Sequence, residues 1–180
     1  MNARICFFVL ALSSTSALAH EPRLLSALSA IDVVPTPAQL DRLTRDVPAA
    51  LAAVAVDAAL HEYLRERATS LLSFYPTPAT AARLEAIANA SPPGRVRWMA
   101  GYTRMRAFAV ADPAGALAFA QVWGRSDTAA DREAAVRGLR WIAGASADGE
   151  LTRIERGETD KMVLAALRRV RTVRAGQGTP

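Results

Sequence analysis

The sequence predicts an all-α chain of short, repeating helices, and three observations predict it. Beyond the first nineteen residues Ala and Leu dominate, β-branched and aromatic residues are few, and no stretch sustains the two-residue alternation of a strand. Pro and Gly fall at intervals, at Pro35, Pro37, Pro48, Pro76, Pro78, Pro92, Pro93, Gly94, Pro113, Gly124, Gly144, Gly149 and Gly157, each suited to ending one helix or opening the next. An alanine three residues after an arginine or valine recurs at Ala68, Ala100, Ala135 and Ala166, in steps of 32, 35 and 31 residues.

Residues 1–19 read as a secretory signal peptide. Met1 to Arg4 form a short positive start, Ile5 to Leu12 an uncharged apolar run, and Ala17-Leu18-Ala19 an A-x-A cleavage site. The run falls short of the roughly 20 apolar residues that span a bilayer, so no membrane span is expected once the leader is cut. The working protein is then expected to begin at His20 and to be periplasmic or secreted. Cys6, the only cysteine, leaves with the leader, which removes disulfides, thiolate metal sites and cysteine nucleophiles from the expected chemistry.

Residues 20–34 receive no firm assignment beyond a turn or more of helix within Glu21 to Ile31. A helical-repeat domain is expected over residues 35–171. Thr36-Pro37 opens its first helix as cap and N1 proline, and Pro48 begins the next, through Leu51 and Val54. A helix from His61 to Phe74 carries Leu64, Ala68, Leu71 and Leu72 on one side. Thr77-Pro78 repeats the cap, Gly94 to Val110 is the longest apolar-periodic stretch, and Asp112-Pro113 caps a helix through Leu117 and Phe119. Asp127 or Thr128, then Asp148, then Thr159 are expected to open the last three helices. Val163, Ala166, Leu167 and Val170 form the inward stripe of the final one, and residues 172–180 are expected to be a flexible tail.

Helices this short need neighbours. The recurrent alanine allows close approach between adjacent helices, so each unit is expected to be a short helix, a turn and a longer helix carrying the alanine. A non-repetitive bundle, with its alanines recurring by chance in an alanine-rich chain, is the alternative. The segments Tyr63 to Leu72, Asp131 to Leu139 and Asp160 to Val170 resemble the second helices of HEAT repeats, as in short bacterial exported HEAT-repeat proteins. The resemblance covers about residues 35–171 and is poor at 95–110, where Trp98, Tyr102 and Arg104 replace small or aliphatic residues. It implies a single-domain α-solenoid of about four antiparallel helical hairpins acting as a protein-binding or spacer element, and no reaction.

Little in the chain points to catalysis, and no enzyme and no cofactor are expected. The H-E-x-x-H, G-x-S-x-G and Walker patterns are absent, and nothing selects two carboxylates over ordinary helix-surface charges. The two histidines, His20 and His61, carry one metal alternative: a mature amino terminus at His20 that binds copper together with His61. Helix-front polarity is the plainer role of His61. The basic excess does not point to nucleic acid either. From His20 to Asp160 there are 16 arginines, no lysine and 17 acids, and only the segment with Lys161, Arg168, Arg169, Arg171 and Arg174 is acid-free.

The aromatic residues carry the strongest functional signal. Trp98 and Tyr102 lie four apart with Arg106 on the same stripe, and Trp141 follows Arg137 by four. They fill the core, or with Arg168 they form an aromatic and cationic face on the second helices, suited to an acidic peptide or protein surface. The expected function is a non-catalytic scaffold or protein-interaction module. A helical adaptor without a recognition site is the alternative to it.

Overall fold

The computed structural model describes residues 20–176, and the leader expected at residues 1–19 lies outside them. All regular structure among the described residues is helical. The elements are α1 (Pro22–Ser29), α2 (Pro37–Leu40), α3 (Val47–Val56), α4 (Glu62–Leu71), a 3₁₀ turn (Leu72–Phe74), α5 (Pro78–Ala90), α6 (Arg95–Phe108), α7 (Pro113–Trp123), α8 (Ala129–Leu139), α9 (Ala145–Gly157) and α10 (Lys161–Gly176). No helix among them is long and apolar enough to cross a membrane.

Local chemistry sets most of the starts. The Thr36 hydroxyl accepts from the Gln39 N–H while the Gln39 side chain accepts from the Thr36 N–H, a reciprocal cap. Asp46, Thr77 and Asp112 each accept from the N–H three residues on, ahead of a proline in the first turn. His61 caps α4 through Nδ1, which accepts from the N–H of Tyr63, two residues on, at 3.2 Å.

Two expected caps move. Asp148 lies inside α9, whose start is Gly144 at φ +99°, a left-handed conformation open to glycine; the Asp148 carboxylate instead receives Arg174. At α10 the capping oxygen is on Asp160, not Thr159: Oδ1 accepts from the Met162 and Val163 N–H groups. The final helix also outlasts its expected end at Thr172 and reaches Gly176. Arg174 anchors that turn, donating to Asp148 and to the Leu139 and Ile142 carbonyls.

One core runs through the described residues from α1 to α10. Leu24 and Leu28 of α1 are buried in it, and α1 packs against α4. Within it α6 touches α4, α5, α7 and α8, and α8 touches α6, α7 and α10. Ala68, Ala100, Ala135 and Ala166 are all buried, one on each of α4, α6, α8 and α10. Gly101 on α6 is needed for a similar reason, because a Cβ there would stand 2.3 Å from the Trp123 ring of α7. Trp123, unremarked in the sequence, is the core tryptophan.

Arginines tie this packing together. Arg65, Arg97 and Arg132, each three residues before one of the alanines, donate to the carbonyls of Ala55, Ala88 and Ser126, at or just beyond the end of the preceding helix. Those carbonyls lack helical partners and carry the negative end of the dipole. Arg97 and Arg132 then reach forward to Asp131 and Glu158.

Candidate functional site: an arginine and aromatic groove

The stack of α4, α6, α8 and α10 leaves a groove along one side. Its first stretch is lined by Tyr63, Glu66, Arg67 and Arg95, its middle by Trp98, Glu133 and Arg137, and its far end by Tyr102, Arg137, Arg140 and Arg169. Neighbouring stretches share Glu66, Arg95 and Arg137, so the depressions are continuous.

Helical spacing sets the aromatic part. Trp98 and Tyr102, one turn apart on α6, stack with ring centroids 5.1 Å apart and planes 24° from parallel. Trp141, just beyond α8, donates from Nε1 to the Tyr102 hydroxyl at 3.3 Å. Its ring has the Arg106 guanidinium at 5.3 Å and that of Arg140 at 4.8 Å, and Arg137 sits 6.0 Å from the Trp98 centroid. Such contacts are worth about 0.5–1 kcal/mol each at exposed sites, enough to hold the arginines over the rings without neutralising them.

Of the residues expected on this face, five come together: Trp98, Tyr102, Arg106, Arg137 and Trp141. Trp98 and Tyr102 are half-buried, packed against the core by one edge, and Trp141 is 39% exposed. Arg168 is not among them. It is exposed on α10, and the cleft is lined by its neighbour Arg169 together with Ala166, Val170 and Val173. One residue is 100° of helical rotation, and α8 lies on the Arg169 side. Arg171 turns to α9, where it donates to Thr152 and Glu155. Nothing in the helical spacing places Arg140 or Arg169 on this face, since basic residues at helix ends are common.

Charge in the groove is unbalanced. Glu66 is held by Arg95 through two hydrogen bonds, and Glu133 by Arg137. Arg106, Arg140 and Arg169 form no ion pair among the described residues. Arg104, the other departure from a repeat pattern, does not contribute. It is buried on the side of α6 that meets α5 and α7, where it joins Glu85 to Asp112 and covers the Phe108 ring.

The histidines lie elsewhere. His20 Nε2 is 2.8 Å from Asp57 Oδ2, and that hydrogen bond, with the Ala59 N–H, holds the Asp57 carboxyl below its usual range. His61 is occupied as a helix cap. No group of three or more His, Cys, Asp or Glu suited to a metal occurs among the described residues. Comparison of the chain with protein-family models, curated proteins and solved structures returns no match.

Proposed function

We propose that this chain is an exported, non-catalytic, HEAT-like α-solenoid of four antiparallel hairpins that holds an acidic protein segment in the groove along its second helices. The pairs are α3 with α4, α5 with α6, α7 with α8 and α9 with α10. Support for the repeat comes from the second helices packing in succession, each with its alanine buried, and from Arg65, Arg97 and Arg132 recurring at one helical position.

The observation that carries the functional reading is the groove's surplus of arginines. Arg67, Arg95, Arg106, Arg137, Arg140 and Arg169 stand there against Glu66 and Glu133, and both acids are already held. A surface that keeps unpaired guanidinium groups beside half-exposed Trp and Tyr matches the residue types that dominate protein interfaces.

The test is fluorescence anisotropy of a labelled glutamate-rich peptide titrated with the chain from His20 onward. Binding is expected to weaken between about 0.05 and 0.3 M salt, because exposed charges are screened over about 8 Å near physiological ionic strength. Trp98→Ala combined with Arg106→Gln is expected to weaken it about tenfold or more, as loss of an interface anchor does. Equal binding of a lysine-rich peptide, or affinity indifferent to salt, contradicts the proposal.

A further inference from the structure

The groove ends in a corner that holds donors and no carboxylate. Where α8 meets α10, Tyr102, Arg137, Arg140 and Arg169 converge on a cavity of about 130 Å³ whose other wall is apolar, with Val170 and Val173. Arg137 gives Nε and Nη2 to Glu133 and retains Nη1. Arg140 lies over the Trp141 ring, makes no ion pair, and buries its Nε without a hydrogen-bond partner. The Tyr102 oxygen accepts from Trp141, so its own proton remains to be donated. The planar guanidinium groups of Arg140 and Arg169, which form no ion pair among the described residues, suit an oxyanion.

Resting on the reading of the groove as a peptide site, we infer that this corner captures the C-terminal carboxylate of the bound peptide, with an aliphatic last side chain against Val170 and Val173. A chain terminus fits this corner better than an Asp or Glu side chain, because in a terminal residue the carboxylate and the side chain leave the same carbon, so arginines and valines are reached together.

Calorimetric titration of the chain from His20 onward with acetyl-Glu-Glu-Ala-Val as free acid, with the same peptide as C-terminal amide, and with inorganic phosphate tests this. The free acid is expected to bind about tenfold or more tighter than the amide, the worth of one charge-assisted paired contact. Arg140→Gln and Arg169→Gln, each checked for unchanged circular dichroism, are expected to bring the acid down to the amide's affinity. Arg168→Gln, one residue away, is expected to change neither. Equal binding of acid and amide overturns the corner while leaving a peptide groove in place. Phosphate displacing the acid at comparable concentration also overturns it, as does the absence of binding by both peptides; the glutamate-rich peptide then decides the groove separately.

Discussion

Asp131→Ala is expected to destabilise the fold by about 3–5 kcal/mol, the cost of leaving one member of a buried ion pair unmatched. Asp131 is only 3% exposed and accepts three hydrogen bonds from Arg97, at 2.8 to 3.2 Å, and a fourth from Ser126. Arg97 is pinned in turn by the Ala88 carbonyl and lies 5.2 Å over the Trp123 ring. Bonding to Asp131 pushes its already high pKa up further despite burial; with the carboxylate removed the guanidinium still keeps its proton, as arginine does throughout proteins, so the variant leaves a charge without its partner. The pair joins α6 to α8, the helices that carry Trp98, Tyr102 and Arg137. In a domain of this size each kcal/mol shifts the midpoint by about 2–4 °C, so thermal unfolding is expected about 10 °C lower. A loss under about 1 kcal/mol would mean that water enters and replaces the carboxylate, and that the pair does not hold these helices.

Glu158→Gln is expected to cost about 2–3 kcal/mol at neutral pH, and the gap from the parent is expected to close as acid is added. The Glu158 carboxylate accepts Nε and Nη2 of Arg132 at 2.7 and 3.0 Å, and also the N–H groups of Thr159 and Asp160. Those bonds, Arg132 foremost, outweigh desolvation and push its pKa down from 4.5 to about 2. A depressed folded-state pKa gives stability that is complete above the unfolded value and lost as the pH falls toward the folded one. The window is therefore between about 4.5 and 2. Below it a protonated Glu158 resembles the glutamine. Urea unfolding of both proteins from pH 7 downward reads the difference, and a gap independent of pH would contradict the pairing.

How much of this was legible from residues alone depended on how local the cause was. Thr36, Thr77 and Asp112 were legible as helix starts because a side-chain oxygen, a nearby N–H and a proline lie within four residues. The four alanines were legible as buried because each lies on an apolar stripe. Gly144 reads as a helix boundary, but not as the start of α9 in place of Asp148, because a left-handed start leaves no capping side chain to read. Asp131 reads as an ordinary N-terminal helix acid until Arg97, 34 residues away, is placed against it.

The groove was partly legible for the same reason. Trp98, Tyr102 and Arg106 share one helix, so their spacing alone places them on one stripe. Arg169 depended on where α8 meets α10. The inward stripe of α10 was read correctly from Val163, Ala166, Leu167 and Val170, yet that stripe does not say which flank faces the aromatic residues.

The chain's three tryptophans offer the most direct measurement of the central claim, because each indole N–H gives its own resonance in a ¹⁵N-correlated spectrum. Trp98 and Trp141 lie in the groove and Trp123 in the core. Titration with the glutamate-rich peptide is expected to move the Trp98 and Trp141 signals together, with Trp123 unmoved, and to move backbone amides of α6, α8 and α10 but not those of α3, α5 and α7. Saturable binding that leaves the Trp98 and Trp141 signals in place would contradict the account.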